Sequence, residues 1–212
     1  MAVFWPLKDL GQCPSRCRSV WSICVRDRLL KPYSAPPFAL VHPEGDPQVV
    51  TLPVPGYKQA RNYCCGFAAT LMVLKYYQRD LCGEALFAAL GTARDGTGQS
   101  AIVRVLRSQG VRANLRYDMN FDRMAAILCT GKVLIGYLED EEHWLVIYGF
   151  GRSPQRIFVA DPETDKPCEN LWEHYGARLG GFSMVCSPAP ERASGVSSSQ
   201  QLQLDFGGSC DA

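Results

Sequence analysis

Between residues 65 and 78 the apolar side chains Phe67, Ala68, Leu71, Met72, Leu74 and Tyr77 return at helical spacing. This run predicts a long central helix around which the remaining chain must pack. The way the helix is entered also carries chemistry. The preceding stretch reads YKQARNYCCG, with Gln59, five intervening residues, then Cys65 and Gly66. A thiol in the first turn of a helix lies near the positive end of the backbone dipole, and that field favours thiolate, the nucleophilic form. The Gln59 side-chain amide, just upstream, can reach an oxyanion forming beside the sulfur. A nucleophile and one oxyanion donor are thus encoded close together.

The rest of the chain divides into helices followed by strands. Residues 81–90 read as a second helix ended by Gly91, and residues 91–100 as a loop. Ser100 can cap a third helix over 101–109, with Gly110 at its C′ position. Residues 111–117 alternate like a strand. Asn120 can cap a fourth helix over 121–129, closed by Gly131. Residues 48–53 suggest a short edge strand ending at Pro53. The runs 133–138, 144–150, 156–160 and 180–186 are β-type, and the Gly-, Ser- and Pro-containing run 149–155 suits a hairpin connection. The expected fold class is α+β, an N-terminal helical layer carrying the Cys65 helix, packed on a C-terminal antiparallel sheet. A cleft between the layers is a natural site.

The base candidate is His143, which opens the strand HWLVIYGF after the acidic loop Glu139-Asp140-Glu141-Glu142. A neutral imidazole there can take the Cys65 proton, and the resulting pair can attack a carbonyl. Asp161 follows the next strand and precedes Pro162. If the two strands form a hairpin, Asp161 returns beside His143 and can accept from its other ring nitrogen. Each residue also has a plainer reading. Cys65 could be a small buried hydrophobe, His143 a surface turn histidine and Asp161 a turn starter. Cys64 cannot point at His143 together with Cys65, so it is expected to pack or to act as a resolving thiol. The acidic loop is expected to be solvated. His42 and His174 read as bystanders in irregular segments, Trp144 as core or cleft wall, and Cys82, Cys129 and Cys186 as buried structural thiols.

The chain has 212 residues, of which 47% are hydrophobic and 20% charged, and a formal charge of +1. One domain with appendages suits that length, and the charge balance argues against a nucleic-acid partner. Residues 67–74, the longest apolar stretch, are too few to span a bilayer. Lys8, Asp9, Arg16 and Arg18 break any secretory signal, so a cytoplasmic location with mostly reduced cysteines is expected. The Pro-rich residues 1–47 read as an irregular extension, with a short helix conceivable over 19–30. Within it the spacing of Cys13, Cys17 and Cys24 matches no zinc or iron–sulfur pattern. Residues 48–186 form the expected domain, and the Ser/Gln-rich residues 187–212 a disordered tail.

Taken in order, Gln59-x5-Cys65-Gly66 opening a helix, His143-Trp144 opening a strand with Tyr148-Gly149, and Asp161-Pro162 after the next strand resemble the bacteriocin-processing peptidases. These are papain-like cysteine peptidases, many fused to export ATPases, that cut leader peptides after a double glycine. The match spans about residues 50–186. The resemblance implies a papain-like fold with Cys65 as nucleophile, His143 as general base and acid, Asp161 as orienter and Gln59 as oxyanion donor. It implies a peptide or protein substrate, association with an exporter, and no metal or organic cofactor. Cys64 departs from the acidic or amide residue frequent there. No transmembrane or ATPase module accompanies the domain, so a stand-alone peptidase is expected. Two alternatives keep the same cleft: an acyltransferase using the Cys–His–Asp site, and a catalytically silent peptide-binding module.

Overall fold

The computed structural model describes residues 30–32, 49–164 and 166–189. Three short strands come first: β1 (Leu30–Pro32), β2 (Val49–Thr51) and β3 (Tyr57–Gln59). Three helices follow, α1 (Cys65–Tyr76), α2 (Gly83–Leu90) and α3 (Gln99–Ser108), then β4 (Val111–Arg116) and α4 (Phe121–Leu128). The chain continues through β5 (Val133–Leu138), β6 (His143–Gly151), β7 (Arg156–Ala160) and β8 (Cys168–Leu171). It closes with α5 (Trp172–Arg178) and β9 (Ser183–Pro188). The long strands form one antiparallel sheet in the order β4-β9-β5-β6-β7-β8, and β2 pairs with the distal end of β6. A separate ribbon pairs β1 with β3, Leu30 opposite Gln59.

Helix α1 is the centre of this arrangement. Every residue from Cys65 to Leu74 is buried. A helix apolar all round must be enclosed on all sides, and α1 lies between β6 and the helices α2 and α3. The opposite face of the sheet is covered by α4 and α5. There Phe121 meets Phe150 and Trp172 edge-on, and Leu179 sits over Gly136, where an added Cβ would approach its Cδ2 to 2.8 Å. The helical layer on the sheet is therefore as expected, with a second helical layer on the sheet's other face.

The local stops operate as read. Gly91 ends α2 at φ 62°, and Asn120 caps α4 by accepting from the Arg123 N–H at 3.0 Å. Other expectations are corrected. Gly98, not Ser100, occupies the N-cap of α3, and Ser100 lies inside its first turn. The last strand starts at Ser183 and ends at Pro188, so Ser187 and Pro188 are not tail. The helix conceivable over 19–30 falls largely outside the described residues, and Leu30 itself is strand. The Cys13, Cys17 and Cys24 group and residues 190–212 also lie outside them. Cys82 and Cys186 are buried, but Cys129 is exposed at the end of α4. His174 lies on helix α5, where it faces Glu173 at 3.5 Å. Helices do not all precede strands, since α5 intervenes between β8 and β9.

Candidate active site

Cys65 is the first residue of α1. Cys64 occupies the N-cap without a side-chain capping bond, which leaves first-turn N–H groups to act on the neighbouring sulfur. Gly66 is required by the packing. A Cβ there would meet Thr97 Cβ at 2.6 Å and Trp144 Cδ1 at 2.9 Å. The missing side chain lets the start of α1 settle onto β6 and onto the loop before α3. The same three-way contact is fixed by Trp144, whose indole N–H donates to the Thr97 carbonyl at 3.0 Å.

Strand β6 begins at His143, opposite Leu138 of β5. Its partner β7 ends at Ala160, opposite Val146, so the next residue, Asp161, is carried back toward the head of β6. His143 Nε2 lies 2.7 Å from Asp161 Oδ1. That carboxylate is itself held, because the Glu163 N–H donates to Oδ1 at 2.9 Å. The ring also hydrogen-bonds Cys65. With Nε2 engaged by Asp161, Nδ1 is the atom left for the sulfur. Glu163 Oε1 stands 4.0 Å from Nδ1.

Electrostatics separates the two adjacent cysteines. Burial works to raise the Cys65 thiol. It is outweighed by the His143 hydrogen bond, the Trp144 and Gly66 backbone N–H groups and the His143 charge, so the thiol falls below its ordinary value. Burial raises Cys64, and nearby Arg61 only partly opposes it. Burial would lower His143. The Asp161 and Cys65 hydrogen bonds and charges reverse this and raise it to about 10. Asp161 is raised by burial but lowered more by His143, the Glu163 N–H and Arg178. Each of the three shifts favours the charged form of its group, thiolate at Cys65, imidazolium at His143 and carboxylate at Asp161.

Gln59 is joined to this centre through the backbone, its N–H donating to the Pro162 carbonyl at 2.7 Å. Strand β3 rests against α1. The Gln59 Oε1 is buried without a hydrogen-bond partner, a state that in native proteins calls for an explanation at the site itself. The acidic loop is tied down rather than free. Arg178 Nε donates to Asp140 Oδ2 at 2.8 Å and the same guanidinium pairs with Glu141. Among the described residues no group of three or more His, Cys, Asp or Glu side chains could hold a metal ion, and no helix is long and apolar enough to cross a membrane.

The fold thus brings together Cys65, His143 and Asp161 and hangs Gln59 beside the Asp161-Pro162 turn. Sequence reasoning missed Thr97, the requirement for glycine at 66 in packing terms, and the Arg178 anchor. The first two depend on a loop–strand contact with no local signal. The Arg178 anchor comes from a helix that the sequence reading passed over.

Among solved structures, the chain is similar to a double glycine motif protease from an AMS/PCAT transporter, crystallised with the leader peptide. The TM-score is 0.56 and the identity 22%, over 66% of this chain and 94% of that one. It is also similar to the peptidase domain of Streptococcus ComA, a bifunctional ABC transporter involved in quorum sensing. There the TM-score is 0.51 and the identity 17%, over 62% and 96% of the two chains. No curated protein sequence matches. The family model that matches covers residues 54–189, from the approach to β3 through the end of β9, and it places this papain-like cysteine peptidase in the Peptidase C39 family.

Proposed function

We propose that Cys65, His143, Asp161 and Gln59 are the catalytic set, and that the substrate is a peptide leader cut after paired glycines. The observation that carries this reading is the contrast between neighbours: Cys65 is lowered and bonded to His143, while Cys64 is raised by burial. In this mechanism the Cys65 thiolate attacks the scissile carbonyl. The Gln59 amide and the Cys65 backbone N–H hold the developing oxyanion. The His143 imidazolium gives its proton to the leaving amine, then takes one from the water that releases the acyl group. Asp161 keeps the ring turned so that Nδ1 faces the sulfur.

Access supports glycine at the cut. Cys65 is 4% exposed and His143 3%. Tyr137 and Trp144 pack with tilted rings, centroids 4.5 Å apart, and the Tyr137 phenol lies within the field of Cys65. A carbonyl that must approach so covered a sulfur passes most easily when no Cβ flanks it. Work at a cytoplasmic membrane face beside an exporter belongs to the same reading, since the solved relatives are transporter peptidases.

The test is covalent labelling with iodoacetamide-type and peptide-aldehyde probes. Cys65→Ala should abolish labelling of the active thiol and turnover, while Cys64→Ala keeps both. The reverse pattern would reject the assignment. Added amines that appear as conjugates by mass spectrometry would convert the enzyme into an acyltransferase.

A further inference from the structure

We propose that the outer face of β4, β9 and the start of β5 is a binding site for a phosphorylated small molecule, independent of the cleft at Cys65. A hollow of about 450 Å³ lies there, within the range of small-ligand pockets. Strand register builds it. In β4, Val111 and Ala113 are buried toward α3, so Arg112, Asn114 and Arg116 stand on the opposite face, all three exposed. Arg112 pairs with Ser187 of β9, and Asn114 with Val185. On the other side of β9, Cys186 pairs with Val133, which brings Lys132 beside Ser187. Lys132, Ser187 and Arg112 therefore form a row across the sheet. Neighbouring strands are about 4.8 Å apart, so the two cationic stems rise about 10 Å apart with a hydroxyl between them. Ile127, in the last turn of α4, and Val185 give the hollow an apolar wall.

Charge is what sets this hollow apart. The chain as a whole is balanced, with 22 Lys and Arg against 21 Asp and Glu. Elsewhere on the fold Arg123, Arg152, Arg156 and Arg178 each face a carboxylate. Here Arg112, Arg116 and Lys132 share one hollow, no carboxylate lines it, and among the described residues none of the three forms an ion pair. Like charges gathered without a counter-charge repel one another, and a bound anion relieves that repulsion.

The donor set selects phosphate. One phosphate offers several oxygens and up to two charges, enough for the Lys132 ammonium, the Ser187 hydroxyl and the Arg112 guanidinium together. A single carboxylate has one charge and two oxygens, and leaves the row short. Arg116 stands about 13 Å along β4 from Arg112, and its long side chain can meet a second phosphate. Asn114, between the two arginines, adds an amide, and the apolar wall suits the ring or carbon body of the ligand. The site is remote from the reacting groups. Strand β5 carries Lys132 just before its first residue and Leu138, the partner of His143, at its last, about 20 Å away. Helix α1 with Cys65 packs on the other face of the sheet.

The experiment is calorimetric titration of the purified full chain with adenosine diphosphate, which carries two phosphates and a ring. Wild type should bind one equivalent with a Kd at or below about 100 μM, and inorganic tripolyphosphate should displace it. Arg112→Gln and Lys132→Gln should each weaken binding at least about tenfold through loss of a charged hydrogen-bond donor. Arg94→Gln, which removes an exposed cation from the loop between α2 and α3, should leave Kd unchanged. Thermal unfolding of the unliganded variants should match wild type, which separates loss of the site from loss of the fold. No saturable binding of either compound, or no displacement by tripolyphosphate, overturns the proposal. So does equal weakening by Arg94→Gln, which would mark attraction to net charge alone. Binding to phosphatidylglycerol vesicles without binding of free adenosine diphosphate would overturn it in favour of a lipid headgroup surface.

Discussion

Replacing Gly66 with alanine tests how the proposed nucleophile, Cys65, is positioned. The new Cβ would stand 2.6 Å from Thr97 Cβ, 2.9 Å from Trp144 Cδ1 and 3.0 Å from Thr97 Oγ1. None of these can swing aside cheaply. Trp144 is pinned by its bond to the Thr97 carbonyl, and both residues are buried. Relief requires the start of α1 to lift by several tenths of an ångström from β6. Overpacking of this kind costs about 1–3 kcal/mol, which in a domain of this size lowers Tm by roughly 3–10 °C. The displaced atom is the sulfur of the proposed nucleophile. Misplacement approaching an ångström costs about a hundredfold in rate, so kcat/KM should fall further than stability alone explains. Thermal unfolding and peptide cleavage, measured below the variant's Tm, separate the two effects. Thr97→Gly removes the closest atom, so in the double variant it should recover part of both losses, a coupling readable from the double-mutant cycle. A Gly66→Ala enzyme with wild-type Tm and kcat/KM would refute the packing account of that glycine.

Other expectations are as direct. The kcat/KM profile should be bell-shaped, with an acid limb below the ordinary thiol value and an alkaline limb near about 10, where the His143 imidazolium is lost. An acid limb at the ordinary thiol value would show that Cys65 is not activated. Stability follows the same pair. The raised His143 contributes fully below its ordinary 6.5 and loses that contribution as pH rises through about 10. The lowered Cys65 contributes above its ordinary 9.0 and loses it as pH falls through the depressed value. Calorimetry across this range reads both. Asp161→Ala should cut kcat about a hundredfold and lower the alkaline limb, because the ring loses its hydrogen bond and charge partner. Gln59→Ala should reduce kcat about 10²–10³-fold with little change in KM, as expected for a group that acts on the oxyanion. A rise in KM at constant kcat would make it a substrate-binding residue.

The proposed catalytic residues were readable as candidates because each sits at a boundary with a local signature. Cys65 opens an apolar helix, His143 heads a β-type run, and Asp161 precedes a proline after the next one. A hairpin then fixes the mutual placement of the last two without knowledge of the rest. Strand β8 and helix α5 were not readable. In CENLWEHYGAR the burial alternates between half-exposed and exposed along the strand, and the helix has only seven residues, so neither period is sampled long enough to stand out. Cys129 was misjudged because its apolar neighbours belong to the buried face of α4, while the cysteine itself lies past the helix end. Nothing local could have shown that Thr97 supports Trp144 across 47 residues of chain.

The seating of β9 between β4 and β5 has a consequence for biosynthesis. Among the described residues, strand β4 has no other neighbour in the sheet, and β5 has β6 alone on its remaining side. A nascent chain still missing residues 183–188 therefore has β4 separated from the β5-β6-β7-β8 part of the sheet, where His143 and Asp161 lie. Since the ribosome delivers this strand after Cys65, His143 and Asp161, the sheet that carries the proposed catalytic set is completed only once translation has passed Pro188.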